Sequence, residues 1–177
     1  MNLYIMRHGT TVWNEKGIIQ GRSKNRLSLT GVSEVQEQAK KFTQTKFDII
    51  ISSPLMRTMQ TANIMNKFHN VKIIKDERLI EIDKGIFERR LKKSLTEEEK
   101  ILHRKRDKSC GMESGKEVFA RSKDFVNYLK TLNFDNVLVV THQGNATMIE
   151  NIILHGNFDF ENLQLTFKNA EIKCFKV

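Results

Sequence analysis

The stretch that decides the fold is Leu3-Tyr4-Ile5-Met6-Arg7-His8-Gly9-Thr10-Thr11. Its first four residues form a short apolar run, which indicates a buried strand, and Arg7 and His8 follow directly at the strand's carboxyl end. In open α/β sheets, ligands bind at that edge. Arginine offers a planar fork of donors suited to phosphate oxygens, and a neutral imidazole is a nitrogen nucleophile near pH 7. Gly9 is expected to let an anion approach the backbone closely.

Three further apolar runs are rich in β-branched residues and indicate buried strands: Phe47–Ile51, Val71–Ile74 and Val137–Val140. Helical patterns lie between or after them. The sequence therefore predicts an α/β fold with three layers, a mainly parallel sheet flanked by helices on both faces. The end of the chain predicts a C-terminal β-hairpin with strands Leu163–Phe167 and Glu171–Phe175.

Four helices are predicted from apolar periodicity and from capping residues. The first begins at a Thr30 cap and runs to about residue 42. The second begins at Ser53-Pro54, where a serine would cap and a proline would occupy the first helical position. The third runs from about residue 113 to residue 132, and the fourth follows His142.

Length and composition indicate an ordinary globular protein. A chain of 177 residues is enough for one well-buried domain, which we expect to span 1–177. Lys+Arg 30 against Asp+Glu 21 gives a formal net charge of +9, which favours anionic partners. We expect a small phosphorylated metabolite and no nucleic acid, because no aromatic-basic pattern for base stacking occurs.

Cysteine usage and hydropathy indicate the compartment. Cys110 and Cys174 have no metal-ligand spacing, and we interpret both as free thiols in a reducing cytoplasm. No apolar run approaches the length of a membrane span, and the amino terminus lacks the plan of a signal peptide. The sequence therefore predicts a cytoplasmic protein without a membrane partner.

One strongly basic stretch, Arg89–Lys108, interrupts the alternation of strands and helices. We interpret the segment at about residues 89–110 as a short inserted flap over the carboxyl edge of the sheet, and we call it the basic flap. A solvated surface helix without a role in function explains the same charge pattern equally well.

Polar residues follow the other three predicted strands in the same way as Arg7 and His8 follow the first. Arg57 lies on the first turn of the second predicted helix, where free amides and the helix dipole already favour anions. Glu81 lies beyond the third strand, and His142 lies at the end of the fourth. Two histidines and two arginines in equivalent places are difficult to attribute to packing, so these residues predict one anion site.

The motifs that carry these residues resemble those of the histidine phosphatase superfamily, in its phosphoglycerate mutase-like branch. The resemblance covers nearly the whole chain, and its most specific part is the run Ser52–Ala62. The other matching segments are Arg7–Asn14, Gln20-Gly21, Leu29-Thr30, Leu79–Glu88, Gly111–Ser114 with Arg121, and Val139–His142.

The resemblance implies the catalytic roles. His8 would be the nucleophile that becomes phosphohistidine, while Arg7, Arg57 and His142 would hold the phosphoryl oxygens. Glu81 would protonate the departing oxygen and then activate water, and Asp83 is the rival acid. Arginines and histidines fill the roles that a metal would take, and the sequence has no cluster of metal ligands, so we expect no metal and no cofactor.

The resemblance also implies a substrate-binding set: Arg7, Asn14, Gln20, Gly21, Arg57 and Gln143. Asn14 could instead only cap a turn, and Gln20 could be a plain surface residue. Gln143 departs from the family pattern, which has glycine after the second histidine, so its side chain is expected to narrow the pocket or contact the substrate.

We therefore expect a phosphomonoesterase that hydrolyses a small phosphorylated metabolite through a phosphohistidine on His8. A phosphotransferase of the phosphoglycerate mutase type is the alternative. Mutases of this family carry a longer insertion between the acid-bearing loop, which is Leu79–Glu88 here, and the third predicted helix, and that segment is short in this chain. A non-catalytic phosphate-binding module is the third reading, and it would leave the filled catalytic positions unexplained.

Overall fold

The computed structural model describes residues 1–156 and 164–177. Within them, five strands form one sheet in the order β3-β2-β4-β1-β5. The strands are β1 (Asn2–Arg7), β2 (Ile49–Ser52), β3 (Lys72–Lys75), β4 (Asn136–Thr141) and β5 (Ile172–Lys176). Strands β1 to β4 pair in parallel, whereas β5 is antiparallel to β1. The predicted mainly parallel sheet is confirmed.

Helices cover both faces of this sheet. Those in the described part of the chain are α1 (Val12–Glu15), α2 (Leu29–Lys41), α3 (Met56–Asn66), α4 (Glu97–Lys105), α5 (Gly115–Leu129) and α6 (Gln143–His155). Helices α5 and α6 pack together over one face, and α2 and α3 pack together over the other. The three-layer α/β architecture is confirmed.

The side chains of β1 show how the layers are held together. Leu3 and Ile5 point into the cluster formed with α5 and α6, whereas Met6 points into the cluster formed with α2 and α3. All three side chains are fully buried. Burial of each contributes about 1.5–3 kcal/mol, so the alternation along one strand stabilises both faces of the sheet.

Two predicted helix starts were wrong by about one half turn. Helix α2 is capped by Ser28, whose Oγ accepts a hydrogen bond from Gly31 N at 3.1 Å, so Thr30 lies inside the helix. Helix α3 begins at Met56, because Leu55 still has an extended conformation. Ser53 does not cap α3; its hydroxyl lies 2.8 Å from Nε2 of His142.

Of the predicted C-terminal hairpin, the second strand is confirmed as β5, one residue further along the chain, whereas the first strand was wrong over its described residues. Strand β5 pairs with β1, and residues 164–168 form no strand; Leu163 lies outside the described residues. The hydroxyl of Thr166 donates to Glu150 of α6, and the Phe167 side chain is buried. These contacts hold the 164–168 segment against α6, which prevents it from lying alongside β5.

The basic flap has a small apolar core of its own. It contains the one-turn 3₁₀ helix Lys92–Ser94, helix α4 and a second such turn at Lys108–Cys110. Leu95, buried, and Leu102, partly buried, pack with Cys110 of the flap and with residues from neighbouring loops: Ile19, Phe87 and Met112. The flap is therefore anchored by apolar contacts as well as by charge.

Two predictions about chemistry and location bear on the described residues. The thiols of Cys110 and Cys174 are both free. In the described ranges, none of the helices combines the length and the apolar character that crossing a membrane requires.

Candidate active site

A cavity of about 300 Å³ lies where Arg7, His8 and Arg57 meet after β1 and β2. Eight of the nine predicted site residues line it: Arg7, His8, Asn14, Gln20, Gly21, Arg57, Glu81 and Gln143. The ninth, His142, is fully buried, and its ring centroid lies 5.2 Å from that of His8. The structure thus brings together residues that lie up to 136 positions apart in the chain.

His8 is held as a neutral imidazole with one free nitrogen. Its side chain is 3 % exposed, and Nδ1 lies 2.8 Å from the carbonyl of Gly9. Because a carbonyl only accepts, Nδ1 carries the proton and Nε2 keeps its lone pair. Burial lowers the pKa of His8 well below its usual value, and the nearby Arg57 and Arg7 lower it further. A neutral imidazole of this kind can attack phosphorus at neutral pH.

The two arginines are fixed by backbone carbonyls. Arg7 Nη1 donates to Phe167 O at 2.9 Å, while Arg57 Nη2 and Nη1 donate to Gly21 O at 2.7 Å and Ser23 O at 3.1 Å. The Nε atom of each arginine is buried without a partner in the described part of the chain. Burial lowers the pKa of Arg57 to about 10, so it still carries its charge at neutral pH.

His142 offers a third buried donor. Its Nε2 lies 2.8 Å from Ser53 Oγ, which accepts from Leu55 N at 3.4 Å and so has its own proton available for His142. With Ser53 donating to Nε2, the ring proton lies on Nδ1, which has no partner among the residues described. Burial lowers the pKa of His142 well below its usual value, with contributions from Arg57 and His8.

These three unpaired donors indicate an anion site. An unsatisfied buried donor costs about 1–3 kcal/mol, so oxygen ligands that pair with the Nε atoms of Arg7 and Arg57 and with Nδ1 of His142 would be stabilised. A phosphoryl group bound beside His8 would supply oxygens to all of them. Such preorganised donors stabilise the charge that develops during phosphoryl transfer.

Of the two predicted acids, Glu81 lines the cavity of His8 and Asp83 does not. Glu81 Oε1 accepts a hydrogen bond from Ile82 N at 2.9 Å. Asp83 instead accepts from Gly85 N at 2.8 Å, and its carboxylate lies 3.6 Å from Arg22 Nη1, beside a different cavity. Glu81 is therefore placed to give a proton to the group that leaves phosphorus when His8 attacks. Asp83 is placed to stabilise its own loop.

The residues that were expected to bind substrate also have structural partners. Asn14 Oδ1 accepts from Thr11 N at 3.0 Å, which completes the capping box of α1, so the turn-capping interpretation holds for its carbonyl end. Its amide nitrogen remains as the donor that it could offer to a substrate. Gln20 Oε1 accepts from Asn25 Nδ2 at 3.1 Å, which fixes its side chain at the rim of the cavity.

Two residues next to His8 and His142, namely Gly9 and Gln143, have structural roles that their motifs do not indicate. Gln143 Nε2 donates to Phe167 O at 3.2 Å, so it shares this acceptor with Arg7 and leans towards the 164–168 segment. Gly9 is required for helix packing, since a Cβ at this position would lie 2.6 Å from Gly31 O of α2. The expected role of Gly9 in ligand approach stays a prediction beside this packing role.

The sequence did not single out Lys84 and His103, which line the cavity together with Lys92, Arg104 and Arg106. Burial, with Lys84 and Lys92 nearby, lowers the pKa of His103 to about 4, so this imidazole is neutral at physiological pH. Lys84 could have been found, because it follows Glu81 by three residues in the acid-bearing loop. Apart from the place of His103 within the basic flap, nothing in the sequence indicated that it would line the cavity.

With this geometry established, comparison with known proteins settles the family. The family model for the histidine phosphatase superfamily (branch 1) matches residues 3–177. The chain belongs to this superfamily. The resemblance indicated by its motifs is confirmed, and with it a phosphatase or phosphotransferase type of enzyme.

Some relatives are named as phosphatases and others as mutases. The chain is 31% identical over 167 residues to "Putative phosphoserine phosphatase 2" of Hydrogenobacter thermophilus, which covers 91% of this chain and 81% of that protein. It is 39% identical over 99 residues to "Probable phosphoglycerate mutase GpmB" of an Enterobacter species, covering 56% of this chain and 46% of that protein. The chain thus matches less than half the length of the mutase-named relative.

Among solved structures, Bacillus stearothermophilus YhfR superposes with a TM-score of 0.88. The superposition covers 99% of this chain and 91% of that chain at 22% sequence identity. This similarity supports the fold.

Proposed function

We propose that this protein is a phosphomonoesterase that hydrolyses a small phosphorylated metabolite through a phosphohistidine on His8. One observation carries the proposal: a buried, neutral His8 with a free Nε2 lies in the same cavity as the guanidinium groups of Arg7 and Arg57. Each guanidinium keeps one buried N–H without a partner among the described residues. A nucleophile and fixed cations are what phosphoryl transfer requires.

The reaction would proceed in two balanced steps. Nε2 of His8 attacks phosphorus, the bond from phosphorus to the ester oxygen breaks, and Glu81 gives its proton to the departing alcohol. A water molecule then attacks the phosphohistidine, Glu81 takes a proton from that water, the bond from phosphorus to nitrogen breaks, and inorganic phosphate leaves. Throughout, Arg7, Arg57 and His142 stabilise the charge on the three non-bridging oxygens.

The charge around the cavity supports an ester with a second anionic group. Among the described residues that line it, six cationic side chains stand against the single carboxylate of Glu81: Arg7, Arg57, Lys84, Lys92, Arg104 and Arg106. A phosphate monoester dianion balances the charge of only two of them. The surplus raises the local concentration of multiply charged anions, so a carboxylate or a second phosphate on the substrate fits this site.

A mutase-type phosphotransferase is the second candidate, and the match to the mutase-named relative favours it. Such an enzyme would return the phosphoryl group from His8 to another hydroxyl of the bound molecule. Water must then be kept away from the phosphohistidine for as long as the organic product stays bound.

The test measures the fate of the phosphoryl group. Purified protein is incubated with para-nitrophenyl phosphate and with small esters matched in size, with and without a carboxylate or second phosphate. Free phosphate and transfer to a second hydroxyl are quantified separately, with His8→Ala as the control. Release without transfer supports the phosphatase, and transfer without release supports the mutase. If the protein gives neither product and no acid-labile, base-stable phosphate, the proposal is wrong.

A further inference from the structure

The carboxylate of Glu88 lies outside the lining of the catalytic cavity, yet it contacts the loop that holds Arg57. Glu88 Oε1 accepts from Arg22 N at 2.6 Å, and Oε2 accepts from Ser23 Oγ at 2.5 Å. Oε1 also accepts from Lys84 N at 3.3 Å, which joins the same carboxylate to the acid-bearing loop. Several hydrogen bonds to one carboxylate fix the position of the backbone that donates them.

The 21–23 loop, to which Glu88 is hydrogen-bonded, supplies the backbone carbonyls that accept from Arg57. Gly21 O and Ser23 O accept from Nη2 and Nη1 of that arginine, at 2.7 Å and 3.1 Å. With both terminal nitrogens engaged, the two hydrogen bonds hold the guanidinium, and with it Nε, in one orientation. Two short steps therefore connect Glu88 to a guanidinium that faces the cavity.

Gly21 makes the close approach of the carboxylate possible. Its φ is +49°, in the left-handed region, and a Cβ at this position would lie 1.9 Å from Glu88 Oε1. A side chain on residue 21 would thus collide with the carboxylate. The chain accordingly places glycine where the loop, the carboxylate and the arginine meet.

The charge of Glu88 acts on Arg57 as well. Burial lowers the pKa of Arg57 to about 10, and the carboxylates of Glu81 and Glu88 oppose that shift. Arg7 lies nearby with the same sign of charge as Arg57 and works in the other direction. Glu88 therefore helps to keep the buried guanidinium cationic.

We propose that Glu88 is a positioning residue for phosphoryl transfer, which fixes the 21–23 loop and through it directs Arg57 Nε at the phosphoryl group. The proposal rests on the proposed function in one respect, namely that Arg57 contacts the phosphoryl oxygens. Glu88 itself touches neither substrate nor nucleophile.

Two substitutions separate the geometry from the charge. Glu88→Ala removes every acceptor, and we expect kcat to fall by about tenfold or more, since a misdirected oxyanion donor costs about as much as a missing one. Glu88→Gln keeps an oxygen for Arg22 N, and Ser23 can turn its hydroxyl to accept from the new amide. We expect Glu88→Gln to recover most of kcat.

The decisive measurement is a double-mutant cycle with Arg57→Ala. If Glu88 acts through Arg57, both substitutions remove the same interaction with the phosphoryl group. Once Arg57 has been replaced, Glu88→Ala should therefore change kcat by no more than about twofold. Full, multiplicative losses in the double variant would overturn the proposal. Glu117→Ala is the control: Glu117 caps α5 and pairs with Lys108 at 2.9 Å, but it does not line the catalytic cavity.

The same cycle in a binding assay separates this proposal from the proposed function. Affinity for inorganic phosphate is measured calorimetrically on folded wild type, on each single variant and on the double variant. Coupled losses of affinity support the positioning role even if no ester is hydrolysed, whereas independent losses contradict it even in an active phosphatase. Should Glu88→Ala fail to fold, Ser23→Ala, which removes the hydroxyl that donates to Glu88 Oε2 and keeps the Ser23 carbonyl, takes its place in the cycle with Arg57→Ala and is read in the same way.

Discussion

The imidazole rings of His8 and His142 stand edge to face, with their centroids 5.2 Å apart. They follow β1 and β4, which are neighbours in the sheet with Arg7 paired in register with Thr141. Burial lowers the pKa of both rings. Two neutral imidazoles therefore lie side by side, one with a free lone pair and the other with a free N–H, which suits attack by the first and donation by the second.

These buried histidines predict that stability falls in mild acid. A histidine whose folded pKa lies below its ordinary value of 6.5 favours folding fully above about pH 6.5, and this contribution is lost as pH falls toward the folded pKa. Each such histidine contributes a slope of up to about 1.4 kcal/mol per pH unit. Urea unfolding at about pH 7.5 and about pH 5.5 should therefore show a clear loss of stability.

A variant at one buried ring checks the cause of that loss. His142→Asn removes a titrating group, so its free energy of unfolding should depend less steeply on pH than that of wild type. Replacing the exposed His155 by glutamine should leave the wild-type dependence in place. An equal slope in all three proteins would show that the acid sensitivity comes from elsewhere.

The position of Glu81 predicts a defect that depends on the leaving group. Glu81→Gln should slow turnover strongly with alkyl phosphates and weakly with para-nitrophenyl phosphate, because a good leaving group needs little protonation. Phosphohistidine should still form on this variant, as acid-labile and base-stable phosphate, and be absent from His8→Ala.

Asp83→Asn is the matched control for that experiment. Asp83 bonds to Gly85 N and lies near Arg22, away from the cavity of His8. We expect a modest loss of stability and no dependence on the leaving group. A larger catalytic defect in Asp83→Asn than in Glu81→Gln would reverse the assignment of the acid.

Gly144 predicts a second way to disturb Glu81. A Cβ at residue 144 would lie 2.9 Å from Glu81 Oε1 and 2.5 Å from Ile82 Cδ1, so Gly144→Ala must displace the ends of these two side chains. We expect kcat to fall most for poor leaving groups, with about 1–3 kcal/mol lost from stability. Gly156→Ala, which is strained at φ +71° but has open space around it, should cost stability alone.

Most of the site could be predicted from the sequence because the order of the strands determines where the polar residues that follow them lie. Residues just after parallel strands must meet at one edge of the sheet, so His8 and His142 could be placed together from apolar runs alone, and the motifs added Arg57 and Glu81. What could not be predicted depends on long-range contacts. Thr166 binds to α6 through Glu150, and nothing local in a strand-like run of residues indicates that partner.

The proposed chemistry predicts independence from metal ions. The guanidinium groups of Arg7 and Arg57 supply the positive charge that a divalent cation supplies in other phosphatases. Hydrolysis of para-nitrophenyl phosphate should therefore continue unchanged after dialysis against a chelator. A strict requirement for an added divalent ion would contradict the roles given to the two arginines.

The basic flap predicts a split between substrate capture and chemistry. Lys92 and Arg104 line the cavity, whereas their neighbours Lys93 and Lys105 are exposed and do not. Replacing Lys92 and Arg104 together by methionine should raise KM, weaken its dependence on salt and leave kcat nearly unchanged, because exposed charges attract the ester before it reaches His8. The rise should be greatest for esters with a second anionic group. Replacing Lys93 and Lys105 removes the same net charge, so an equal rise in KM in this control would assign the effect to the protein's overall charge, whereas no rise in either variant would make the flap a solvated surface helix.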